Sequence, residues 1–154
     1  MVTGMSYVTN GGLSVFLAAV LLRLTWIDVK TFRLPDSYTL PLIAVGLGLP
    51  WLIAGPDLLA RLIGAAVGFA SLGLIGEIHF RSKKVEGLGL GDAKLFAAAG
   101  AWLGWQALPV VILIASVSGL LYATLFRRGR LHDGIAFGPM LALGFLLCWL
   151  GRLA

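Results

Sequence analysis

The chain has 154 residues, of which 59% are hydrophobic and 12% charged, with a mean hydropathy of +0.96. A soluble domain of this size carries roughly a quarter of its residues charged, so a water-solvated surface is excluded and an all-α, polytopic membrane protein is expected, with the lipid bilayer as solvent. The net charge of +5 lies in short loops between apolar runs, a pattern that sets membrane orientation and argues against a nucleic-acid partner.

A crossing of the hydrocarbon core takes about 20 helical residues, with roughly 17 tolerated. Six apolar runs qualify, predicting a six-transmembrane-helix bundle. They are Leu13–Lys30, Ser37–Ile53, Leu58–Ile78, the short Asp92–Ala107, Leu108–Phe126 with Pro109 in its first turn, and Ile135–Gly151 with Pro139 near its start. The first basic residue is Arg23, so residues 1–12 lack the basic start of a cleavable signal, and the first run is expected to remain as a span. No internal repeat or second domain is visible, which makes 1–154 a single membrane-embedded domain.

Charge then orients the bundle. Arg23, Lys30, Arg33, Arg81, Lys83, Lys84, Lys94, Arg127, Arg128 and Arg130 fall at one set of alternate span ends, whereas only Arg61 and Arg152 fall at the other. Basic loops stay in the cytoplasm, so both termini are expected outside. Gly64 with Gly68, and Gly100 with Gly104, have the GxxxG spacing that lets helix backbones approach closely in lipid. Cys148 is the lone cysteine, and His79 and His132 lie in different loops. That set offers no zinc spacing and no disulfide within the chain; no metal and no cofactor are expected.

The carboxylates carry what chemistry the chain offers. Asp57 reads as a solvated outer-loop residue, Glu77 has i, i+4 spacing to Arg81, and Glu86 and Asp133 sit among basic loop residues. Asp28, in "TWIDVKTFRLPD", and Asp92, in "GLGLGDAKLFAAAGAWLG", remain. Singly, Asp92 reads equally well as a helix N-cap, and Asp28 as a partner of Arg23, Lys30 or Arg33. Together they are two ionisable groups at one membrane face, where such residues are functional candidates by default. Two close carboxylates share a proton and can activate a water, which is aspartic-protease chemistry. The glycines Gly87, Gly89 and Gly91 are expected to bring backbone close to the reacting centre and to let an extended substrate strand lie alongside. A carboxylate relay in a small carrier or proton-conducting protein, and a non-catalytic assembly subunit, stay open on these residues alone.

"GLGLGDAKLFAAAGAWLG" contains the GxGD signature and resembles the corresponding segment of the bacterial prepilin peptidases, or type IV leader peptidases. "IDVKTFRLPDSYTLPL" is similar to their other catalytic segment, and "IAFGPMLALG" to their last helix. The three stand in the family's order and span Asp28 to Gly144. The resemblance implies a membrane aspartic endopeptidase of the bacterial inner membrane. It would remove the short basic leader from pilin-like or pseudopilin precursors of type IV pilus or type II secretion systems, at the cytoplasmic face. Asp28 and Asp92 would be the catalytic pair, with Gly89, Gly91, Lys94, Lys30, Pro35 and Asp36 supporting. GxGD is also found in presenilin-like proteases that cut inside transmembrane helices, a rival reading. Long members of the family carry an N-terminal region with paired Cys-x-x-Cys motifs, associated with methylating the new N-terminus. That region is not among these residues, so peptidase activity without N-methyltransferase activity is expected.

Overall fold

The computed structural model describes residues 2–83, 89–126 and 136–153. Six α-helices carry nearly all of them: α1 (Val2–Thr31), α2 (Asp36–Gly48), α3 (Leu58–Lys83), α4 (Leu90–Leu103), α5 (Leu108–Phe126) and α6 (Gly138–Leu153). Short 3-10 turns at Leu49–Trp51 and Trp105–Ala107 extend the end of α2 and lead into α5. There is no strand among the described residues. The all-helical expectation therefore holds. Lys84, Glu86, Gly87, Arg127, Arg128, Arg130, His132, Asp133 and the expected start of the last span at Ile135 lie outside the described residues.

The expected runs map onto these helices one to one, but their lengths differ in an informative way. Three helical stretches are long and apolar enough to cross a membrane: Asn10–Thr31, Leu58–Arg81 and Trp105–Leu125. Gly138–Arg152 is a shorter apolar helix. At 13 and 14 residues, α2 and α4 reach only about 20 Å at 1.5 Å per residue, short of a full hydrocarbon core. For α4 the cause is its position. Asp92, Ala93 and every residue from Leu95 to Leu103 are buried, because α2, α3, α5 and α6 all pack against it. Protein rather than lipid surrounds the central helix. Conversely, α1 begins well before its apolar run, since hydropathy marks the lipid crossing and not the helix end.

Small residues set the closest contact. A Cβ on Gly100 would lie within van der Waals overlap of the Gly64 carbonyl, and one on Gly64 would lie 2.5 Å from the Gly100 carbonyl oxygen. A Cβ on Gly68 would meet the Phe96 carbonyl oxygen at 2.7 Å. The GxxxG reading of α3 against α4 is borne out for these three glycines. Gly104 instead ends α4 with φ +81°, a left-handed backbone that glycine adopts without a Cβ penalty. Beyond it, Trp102 stacks edge-on against Phe145 and Trp149, with ring centroids 6.1 and 5.1 Å apart. Its indole N–H donates to the Leu42 carbonyl at 2.8 Å, which satisfies a polar atom in a buried cluster.

Alternating helix direction collects two different ends. At one end lie the last turns of α1 and α3 and the first turns of α2, α4 and α6. At the other, Arg61 is fully buried. Its guanidinium donates to the carbonyls of Pro56, Gly46, Ala101 and Trp102 at 2.6–3.2 Å. Arg152 donates to Ala54 at 2.7 Å and reaches the Trp102 carbonyl at 3.4 Å. These cations sit on the C-terminal carbonyls of α2 and α4, where the helix dipole favours positive charge. Asp57, expected to be merely solvated, is exposed but caps α3: its Oδ1 accepts the Ala60 N–H at 3.0 Å.

Candidate active site

The first end holds the two aspartates. Asp28 sits one turn from the end of α1 and is 4% exposed; Asp92 sits in the first turn of α4 and is 9% exposed. Both line one cavity of about 460 Å³. The remaining wall comes from the α1–α2 loop, from one face of α3 through Leu72, Gly73, Gly76 and Glu77, and from the Gly89–Gly91 segment.

Neither aspartate has the structural role it could have had. Asp92 is not the N-cap of α4. Gly89 holds that position, without a side-chain cap bond; Asp92 stands three residues in, and its backbone N–H donates to the Gly89 carbonyl at 3.1 Å. Asp28 is not paired with Arg23, Lys30 or Arg33. The ion pairs among the described residues are Glu77–Arg81, at the expected i, i+4 spacing, and Asp36–Lys94. Asp28 Oδ2 instead accepts the backbone N–H of Gly138, at the start of α6, at 3.1 Å. A nearly buried carboxylate is thus held by a helix N-terminus.

The chain between the aspartates shapes the cavity through an unusual turn. Phe32 adopts φ +52° directly after α1, and its N–H bonds the Asp28 carbonyl at 2.8 Å. A left-handed aromatic residue costs on the order of 1 kcal/mol, and it reverses the chain within a few residues. Leu34 is then buried, and Pro35 caps α2 with φ −73°, the angle its ring prescribes. Its carbonyl accepts the N–H groups of Tyr38 and Thr39.

The supporting residues separate into three groups. Lys94 and Asp36 both line the cavity and bond each other at 2.5 Å, joining α4 to the start of α2. Gly89 and Gly91 also line it, but for different reasons. A Cβ on Gly91 would lie 2.7 Å from the Leu34 Cβ, whereas one on Gly89 would meet nothing nearer than 3.8 Å. Close approach at Gly91 is therefore between two protein segments and not toward a reacting centre. Lys30 stands apart. It is exposed, outside the cavity lining, with its ammonium 4.2 Å from the Trp26 ring centre, a cation–π contact. No group of three or more His, Cys, Asp or Glu side chains converges as a metal site among the described residues. Sequence reasoning missed Gly138 as the partner of Asp28, although the "IAFGPM" segment had drawn notice.

An apolar helical bundle with two buried carboxylates in one end cavity defines a membrane-embedded protein of the two-aspartate class. Residues 15–124 match the family described as the type IV leader peptidase family, and the chain belongs to that family. It is 46% identical over 131 residues to a prepilin leader peptidase/N-methyltransferase of Burkholderia pseudomallei (83% of this chain, 42% of that protein). Over 140 residues it is 45% identical to the Neisseria gonorrhoeae protein of the same name (90% and 47%). Over 142 residues it is 42% identical to that of Escherichia coli K12 (91% and 63%). The chain thus spans roughly half the length of these relatives. No solved structure matches it.

Proposed function

We propose that the chain is an aspartic endopeptidase of the bacterial inner membrane. It removes the basic leader from type IV pilin-like or pseudopilin precursors, with Asp28 and Asp92 as its catalytic pair. The observation that carries this reading is the shared cavity: two buried carboxylates on different helices, without a cation paired to either among the described residues. One carboxyl keeps a proton while the other is ionised. The ionised one takes a proton from a water as its oxygen attacks the scissile carbonyl. The protonated one gives its proton to the carbonyl oxygen, and the resulting gem-diol collapses as the first carboxyl passes its newly gained proton to the leaving amine and the second takes one back from a diol hydroxyl. The printed names of the relatives support the substrate class.

Lys94 and Asp36 shape this site through their ion pair, Gly91 and Pro35 through packing and capping, and Gly89 as the N-cap of α4 in the cavity wall. Lys30 anchors α1 at the interface, where its charge meets headgroups and its stem covers Trp26. Residues 1–154 act as one domain with six membrane-embedded helices, both termini outside and the cavity at the cytoplasmic face, in accord with the basic residues around that end. The precursor keeps its apolar helix in the bilayer beside the bundle while its leader stays cytoplasmic. In this reading these 154 residues carry the peptidase, without N-methyltransferase activity.

Incubating the purified protein with a pilin-like precursor tests the reading. A product shortened after the leader, formed equally with and without chelator and unmethylated when S-adenosylmethionine is added, is expected. An uncut precursor contradicts it, as does activity lost to chelator and restored by zinc.

A further inference from the structure

The first turn of a helix leaves N–H groups without intrahelical partners, and α6 disposes of its own in a particular way. Pro139 has no N–H to offer. The Met140 and Leu141 N–H groups both turn back to the Phe137 carbonyl at 3.1 Å. That leaves the Gly138 N–H, and it is bonded to Asp28 Oδ2. The same residue also makes the room. A Cβ at position 138 would lie 2.6 Å from Asp28 Oδ2 and 3.0 Å from its Cγ, distances that force the carboxylate to move. Donor and missing side chain act on one group.

We propose that Gly138 is a positioning residue for Asp28: its N–H and its lack of a side chain together fix the orientation of that carboxylate in the cavity. The other charged groups lining the cavity are Asp92 and Lys94 of α4, Asp36 of α2, Arg33 of the α1–α2 loop and Glu77 of α3. No hydrogen bond or ion pair joins any of them to Asp28 among the described residues, so the α6 backbone is the contact that orients it. The effect on rate rests on the peptidase reading above; the contact itself does not.

Two measurements separate the two. In protein labelled with 15N-glycine, Asp28→Asn is expected to shift the Gly138 amide proton more than that of any other described glycine, because a charged acceptor is replaced by a neutral one. An unmoved Gly138 amide overturns the contact, whether or not the enzyme cleaves anything. In the precursor assay, Gly138→Ala is expected to lower kcat about tenfold or more with KM within twofold, while Gly119→Ala, whose Cβ meets only Met140 at 3.7 Å, leaves both unchanged. Replacing Gly138 by glycolic acid, which turns its N–H into an ester oxygen and adds no bulk, is expected to lower kcat in the same direction. It decides the matter if the alanine variant does not fold. Wild-type kcat in the ester variant overturns the proposal, and failure of the wild-type protein to cleave overturns the peptidase reading, leaving the amide shift to decide the contact.

Discussion

Gly91 and Leu34 touch where the start of α4 meets the α1–α2 loop, so closely that a Cβ on the glycine would fall 2.7 Å from the leucine Cβ and 3.1 Å from its backbone nitrogen. Leu34 is itself buried and cannot retreat without carrying Phe32 and Pro35 with it. Gly91→Ala is therefore expected to destabilise the fold by about 1–3 kcal/mol, the usual cost of overpacking, and to open the cavity. Gly89→Ala makes only ordinary contacts, with Gly91 N at 3.8 Å and Asp92 Oδ2 at 4.0 Å, at an ordinary φ of −76° and is expected to fold normally. Thermal unfolding of the two variants in detergent checks the difference; equal losses would show that the two glycines do one job.

Lys94 and Asp36 make the cross-link between α4 and α2 at the cavity wall. With the Asp36 side chain 57% exposed, solvent screens the pair, and its worth to stability is about 0–1 kcal/mol. Its consequence is expected in rate. Lys94→Ala, Asp36→Ala and the double variant are expected to lose cleavage to the same degree, because each removes the whole interaction. Losses that multiply in the double variant would mean the two side chains act independently.

Arg61 is expected to be a stability residue with no part in catalysis. Removing it takes the guanidinium donor from four carbonyls, and losses of this kind cost about 3–5 kcal/mol. Arg61→Leu should extract poorly and unfold early. Arg61→Lys should recover only part of the loss, since an ammonium cannot reproduce the guanidinium fork. Precursor cleavage per folded molecule should be unchanged in the lysine variant. A selective fall in that quantity would tie the far end of the bundle to the site.

Orientation is tested by single cysteines in a Cys148→Ser background. Positions 36, 83 and 128 are expected to resist a membrane-impermeant thiol reagent applied to whole cells, and positions 57 and 106 to react. Asp36 and Asp57 stand at opposite ends of the bundle, the one on the cavity wall and the other capping the start of α3, so the labels should divide accordingly. Reaction at 83 or 128 from outside would turn the molecule over and move the cavity to the wrong face.

Much of this architecture was legible in the sequence because lipid-facing helices announce themselves by apolar length. The start of α5 at Leu108, with Pro109 in its first turn, agrees with the apolar run. The start of α3 at Leu58 was read as well. What sequence could not show is which side chains face protein. Arg61 read as an outer-end charge and is fully buried, because its partners are carbonyls on α2 and α4 that no local pattern connects to it. α4 read as a span, yet its burial on all sides is a property of its neighbours. Asp28 and Asp92 stand out as charges next to apolar runs at one membrane face, whereas the cavity they both line depends on how α1, α3 and α4 pack. The Gly138 N–H did not stand out. Backbone donors carry no residue-type signal, and its partner lies 110 positions away.

The central claim is that Asp28 and Asp92 act as a pair, and the most direct measurement is precursor processing in membranes by Asp28→Asn and Asp92→Asn, each set beside its detergent-extracted yield. Asparagine keeps the size of the side chain and can still accept the Gly138 N–H, but it cannot exchange the proton that activates water. Both variants are expected to accumulate at close to wild-type level and to leave the precursor uncut. Substantial cleavage by either one would contradict the account.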